Sequence, residues 1–123
     1  MLAYLKVEED SNKNDLKEYC CLVCGTILAN SDALFRINGS HKHSFINPSG
    51  VRCNFLTFVD CRNILIDEDL YTEYSWFPGY GWRFLICQGC HQHLGWKWDA
   101  TSGGRKTEGF YGLLLNAIRH ERT

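Results

Sequence analysis

Two Cys-x-x-Cys pairs, far apart in the chain, constrain the fold more than any other feature. Cys21 and Cys24 lie in CCLVCGT, and Cys87 and Cys90 in CQGC. A two-residue spacer with a glycine in the turn lets two thiolates of one pair converge on one ion. Four soft thiolates suit tetrahedral zinc, one per chain. They leave no open position for water, so the ion would be structural. Such a site would tie the early chain to the late chain and supply much of a small domain's stability. An iron–sulfur cluster, or a redox disulfide in one pair, are the other readings of the pattern. His91 and His93 lie close enough to substitute as ligands, but two complete cysteine pairs make that unnecessary. Cys20, Cys53 and Cys61 are left over and read as small buried or half-buried thiols.

A length of 123 residues predicts one domain. Seven cysteines, an odd number, fit metal and free thiols better than a complete disulfide framework. The start, MLAYLKVEEDSNKND, has no positive segment followed by an apolar one. No apolar run approaches the roughly 18 residues of a spanning helix. The expectation is no membrane and a reducing, cytoplasmic setting. With 13 basic and 14 acidic residues the net charge is −1, which argues against a nucleic-acid binder.

Residues 1–19 read as an N-terminal arm and 20–123 as the domain. In the arm, Leu2, Tyr4, Leu5 and Val7 suit a short strand or packing segment. Glu8 to Lys17 suits a polar connection or short helix. Asn38-Gly39-Ser40 and Asn47-Pro48-Ser49-Gly50 are turn signals. Strands are predicted at 41–46, 51–59, 82–86 and 94–98, where β-branched and aromatic residues gather. Ile64 to Ile66 is a short apolar run, and 100–108 a flexible polar loop. For 110–118, leucine spacing allows a helix, but Gly109 and Gly112 favour a strand.

All four tryptophans fall between 76 and 98, on both sides of the second cysteine pair. That pair must reverse the chain, so 76–82 and 94–98 can lie side by side. Trp96 and Trp98 are two apart and face the same way on a regular strand. The rings can form a core cluster. Alternatively, SWFPGYGW holds Trp76 and Trp82 rigidly at a surface opening, as walls for a cation, a base or a flat neutral ring. Composition and spacing leave both readings open.

The string Ser75 to Trp82, then Cys87-x-x-Cys90, then His93-Leu94-Gly95-Trp96-Lys97-Trp98, resembles the CULT family, the thalidomide-binding domain of cereblon. So do Cys21-x-x-Cys24 and Asn47-Pro48-Ser49-Gly50. The likeness covers roughly residues 20–118 and points to a single-domain member of bacterial type. It implies an all-β fold, the β-tent, with two antiparallel sheets pinned by a four-cysteine zinc site. It implies a cage of Trp76, Trp82 and Trp96 that takes glutarimide or a related cyclic imide, with Trp98 where the family has a backing phenylalanine. The main chain of Tyr74 and Trp76 would read the imide edge, Ser75 joins the ligand-binding set, and Asn47 sits on the closing loop. Tyr74 stands where cereblon has a histidine. Ser49, Val51 and Cys53 stand where human cereblon has His, Tyr and His, so the rim differs. A ubiquitin-ligase role is not carried over.

Three functions follow from this reading. The first is a monomeric, non-enzymatic binder of cyclic imides or ureides, including imides formed at protein C-termini. The second is an enzyme on a scaffold similar to methionine sulfoxide reductase B, with Cys53 as its reactive thiol. The third is a zinc-knuckle interaction module.

Overall fold

The structure is a computed structural model that describes residues 16–101 and 109–122. Most of the expected arm and of the polar loop at 100–108 lies outside the described residues. The strands are β1 (Lys17–Cys21), β2 (Ile27–Asn30), β3 (Lys42–Ile46), β4 (Arg52–Phe58), β5 (Ile64–Ile66), β6 (Tyr80–Cys87), β7 (His93–Ala100), β8 (Phe110–Leu114) and β9 (Ile118–Arg122). They form a three-stranded sheet, β2-β1-β9, and a six-stranded sheet, β3-β4-β8-β7-β6-β5. All strand pairs are antiparallel. This is the all-β, two-sheet arrangement of a β-tent.

Side-chain alternation explains why the larger sheet is buried on both faces. On β4, Leu56 and Phe58 turn toward the small sheet and join Tyr19, Leu28, Leu85, Leu94, Leu113 and Ile118 in one core. Phe55, one residue out of phase, faces the other way. There it packs with Phe77, Trp98 and Phe110 in a second, aromatic core. β8 divides in the same manner, with Leu113 in the first core and Phe110 in the second. A period of two on strands with two covered faces needs no polar face, hence the nearly continuous apolar run at 55–58. Thr57 is the exception. It is fully buried, and its hydroxyl donates to the Phe35 carbonyl at 2.6 Å.

The 110–118 segment is not one strand. β8 ends at Leu114, a 3-10 turn covers Leu115–Ala117, and β9 begins at Ile118. The turn carries the chain from the large sheet to the small one, where β9 pairs with β1. Strand propensity cannot show that a chain changes sheets.

His43 lies against the aromatic core. Its ring stacks on Phe55 at 5.4 Å and meets Phe77 edge-on at 5.3 Å. Burial holds its pKa below the usual 6.5, against a backbone hydrogen bond at Ser40 that favours the charged form. The unfolded chain therefore takes up this proton more readily than the folded one. Stability is expected to be complete above pH 6.5 and to fall as pH drops through the lower folded value. Denaturant midpoints between about pH 7.5 and about pH 5.5 should decline in the natural protein and decline less in His43→Phe. Equal declines in both proteins would remove His43 as the cause.

Candidate functional site

The two cysteine pairs occupy equivalent turns at the ends of two strands. Cys21 closes β1 and Cys87 closes β6. In the first turn the Gly25 N–H donates to the Cys21 carbonyl, and the Cys21 N–H donates to Thr26, at 2.8 Å each. In the second the His91 N–H donates to the Cys87 carbonyl at 2.8 Å, and the Cys87 N–H to Gln92 at 2.9 Å. The residue after each second cysteine turns left-handed, Gly25 with φ 81° and His91 with φ 65°. His91 thus serves as the turn residue that glycine supplies in the first knuckle.

The four sulfurs lie within 4.8 Å of one another, with Cys21–Cys90 and Cys24–Cys87 each at 3.6 Å. A tetrahedral ion bound at about 2.3 Å sets its sulfurs roughly 3.8 Å apart, so the donor set and its spacing fit such an ion. Hydrogen bonding by Thr26, whose hydroxyl is 3.0 Å from the sulfur, draws the Cys24 thiol down to about 6. At Cys90 the Gln92 backbone favours the thiolate, but burial and the three neighbouring sulfurs outweigh it and push the thiol up to about 12. Four thiolates this close need a cation among them to ionise together. Because one knuckle leaves the small sheet and the other the large sheet, the site joins the two. All seven cysteines are free of disulfides.

The tryptophans build the second site. β6 and β7 place Trp82 opposite Trp98 and Phe84 opposite Trp96. Opposed residues and residues two apart share a face, so the four rings tile one patch of sheet. Trp76 comes from the preceding loop. It meets Trp96 edge-on at 5.2 Å and stacks on Phe45 at 5.1 Å. Together these rings wall a cavity of about 350 Å³, lined also by Asn47, Pro48, Tyr74 and His93. Trp98 is 1% exposed, stacked on Phe110 and edge-on to Phe77, and forms a rigid floor. Core cluster and pocket coexist: Trp98 belongs to the core, while Trp76, Trp82 and Trp96 are half-buried.

The loop at 73–77 borders the cavity through Tyr74 and Trp76. The Trp82 indole N–H donates to the Glu73 carbonyl at 2.9 Å and fixes the loop against its own wall. Tyr74 follows with φ 59°, its side chain 73% exposed. Among the described residues, the Tyr74 carbonyl and the Trp76 N–H have no hydrogen-bond partner. Asn47 braces its own turn, since its side-chain oxygen accepts from the N–H groups of Ser49 at 3.0 Å and Val51 at 2.9 Å. Its amide N–H₂ has no hydrogen-bond partner among the described residues, and the residue lines the cavity. Ser75 does not line the cavity. Its hydroxyl donates to the Phe77 carbonyl at 3.2 Å and accepts from the Phe77 N–H at 3.3 Å, closing the loop that carries Trp76.

Three lining residues, Pro48, Phe84 and His93, had no ligand-binding role in the sequence reading, where His93 was weighed only as a metal ligand. Phe84 is two residues after Trp82 on a predicted strand, so its face was readable. His93 was not readable. β7 is irregular opposite Leu85 and Ile86: Gly95 pairs with Leu85, but His93 pairs with Ile86. The extra residue at Leu94 turns that side chain into the first core and returns His93 to the cavity side. There it meets Trp96 and Phe84 edge-on.

The family model described as Yippee zinc-binding/DNA-binding and Mis18, centromere assembly, matches residues 18–122. The chain belongs to the Yippee–Mis18 family. It is also 31% identical over 107 residues to cereblon of Gallus gallus and 32% identical over 107 residues to cereblon of Drosophila persimilis. These matches take in 85% and 82% of this chain but 24% and 17% of the relatives, so the chain spans a quarter of their length or less. The crystal structure of the Mis18 'Yippee-like' domain superposes with a TM-score of 0.60 at 12% identity, covering 88% of this chain and 97% of that one, a likeness of fold. The chain thus joins cereblon-like similarity to the Yippee–Mis18 β-tent fold. Among the described residues no cysteine lines the aromatic cavity. Cys53 is buried, which raises its pKa, and the reductase-like reading loses its nucleophile. Among the described residues no helix is long and apolar enough to cross a membrane.

Proposed function

We propose that the domain binds small cyclic imides, glutarimide or a related ureide, in the tryptophan cavity, and holds one structural zinc per chain on Cys21, Cys24, Cys87 and Cys90. The observation that carries the ligand reading is the pairing of three indole walls with a free main-chain acceptor and donor at Tyr74 and Trp76. An imide presents one N–H between two carbonyls on a small ring. The Tyr74 carbonyl accepts the imide N–H, the Trp76 N–H donates to one carbonyl, and the indoles desolvate the ring. Asn47 closes over the ligand with its free amide. Ser75 acts through the loop it ties. No charged group is needed, in keeping with a neutral ligand. Imides formed by cyclisation of a C-terminal Asn or Gln supply the same edge on a protein, and Tyr74 at the mouth is placed to meet such a chain.

Zinc is favoured by the sulfur spacing and the all-thiolate donor set. Seven unpaired cysteines favour a reducing compartment, and we place the protein in the cytoplasm as a monomer. DNA binding, named in the family description, finds no support in a net charge of −1.

Titration with glutarimide, followed by tryptophan fluorescence and calorimetry, tests the ligand reading. Saturable quenching is expected. N-methylglutarimide loses the donor and leaves the Tyr74 carbonyl unpaired, at about 1–3 kcal/mol, so it should bind roughly 5- to 150-fold more weakly. Equal binding of the two compounds would overturn the main-chain readout.

A further inference from the structure

A second cavity, of about 240 Å³, opens where the small sheet meets β3 and β4, and it shares no lining residue with the tryptophan cavity. Its polar lining is entirely basic or phenolic: Lys17, Lys42, Arg119, His120 and Tyr19. Strand register explains the gathering. Lys17 and Tyr19 are two apart on β1, and His120 lies opposite Tyr19 on β9. Lys42 comes from the other sheet, opposite Leu56 on β4. Leu56 and Ile118 give the floor an apolar part.

Among the described residues no acidic side chain lines this cleft. Arg119 shares its guanidinium with Glu121, at 3.2 Å. Among the described residues, Lys17, Lys42 and His120 have no carboxylate partner. Tyr19 is 6% exposed, held by Phe58 at 5.3 Å and His120 at 5.9 Å. Its hydroxyl has no hydrogen-bond partner among the described residues, and it is not shut away in the core. Burial raises its pKa, so it stays a protonated donor. The fold thus brings Lys17, Lys42 and His120 from two sheets around one ready O–H donor, with no anion between them among the described residues.

We infer that this cleft is a second binding site, for a carboxylate or phosphate group carried on a small apolar body. The phenol and the lysines bind the oxyanion, and Leu56 and Ile118 cover the apolar part. The site does not depend on the imide reading.

Amide NMR shifts of the whole chain, titrated separately with benzoate and phenyl phosphate, provide the test. Saturable shifts are expected at residues 17–19, 42 and 118–120 with at least one probe, and the preferred probe distinguishes a carboxylate from a phosphate. Acetate and inorganic phosphate, lacking the ring, should bind more weakly. Lys42→Gln, on an exposed side chain, and Tyr19→Phe should each weaken binding about tenfold. Lys42→Gln decides the matter if Tyr19→Phe does not fold. Shifts that stay linear with both probes, or affinity unchanged in Lys42→Gln, would overturn the site. Glutarimide should shift the tryptophan cavity alone, so failure of one site is visible separately from failure of the other.

Discussion

Stripping metal from Cys21, Cys24, Cys87 and Cys90 is expected to unfold the domain rather than loosen one end of it. The knuckles are the ends of β1 and β6, which belong to different sheets. Without an ion, four sulfurs with pairs at 3.6 Å have nothing to hold them, and two left-handed turns lose their support. Structural zinc contributes about 10–16 kcal/mol in small domains, which matches or exceeds the whole stability of about 5–15 kcal/mol expected for a chain of this size. Chelator in excess should abolish amide dispersion and the cooperative melting transition, and added zinc should restore both. Cys87→Ser should be more damaging than Cys24→Ser, since Cys87 is fully buried and Cys24 exposed. Metal analysis should give about one zinc per folded chain. A metal-free protein that melts at the same temperature would contradict the pinning role.

Gly95→Ala is expected to be the most damaging single-methyl change in the tryptophan site. A Cβ there would lie 1.9 Å from the Gly112 carbonyl oxygen, and Gly95 has φ 154°. Neither strand can retreat: β7 and β8 are paired at Gly95–Leu113 and Trp96–Gly112. Gly112 in turn sits under Trp98, with a Cβ position 2.5 Å from that ring. Backing away would move the cavity floor. The cost should reach about 3–5 kcal/mol, a fall of at least about 10 °C in melting temperature. Imide binding should fall with it, because Trp96 and His93 flank the disturbed residue. Gly79→Ala is the control. It also has positive φ, 89°, but no atom lies within 4 Å of its Cβ position. Its penalty should stay near 1 kcal/mol. Similar melting of the two variants would show that strain alone, and not contact between β7 and β8, sets the requirement for Gly95.

Much of the strand layout was readable because strand signals are local. The runs at 41–46, 51–59, 82–86 and 94–98 each contain or overlap a strand, with ends shifted by a few residues. Trp96 and Trp98 declared a shared face by their spacing. Segment 110–118 misled because its residues suit strands throughout, whereas the change of sheet at Leu115–Ala117 depends on what β9 pairs with. His93 was passed over because face alternation is readable only while the register is unbroken. The lysines of the basic cleft carried no signal, being scattered singly along the chain.

The sequence by itself determined the donor set of the metal site, the class of the fold and the stretch that supplies the aromatic walls, since these depend on residue type and short spacing. Only the tertiary structure decided which tryptophan is floor and which are walls. The bulge at Leu94, the main-chain groups at Tyr74 and Trp76 that have no partner among the described residues, and the placing of Lys17 and Lys42 on one cleft were likewise settled there. Each of these depends on strand register and on which surfaces pack together, and those follow from contacts between residues distant in the chain.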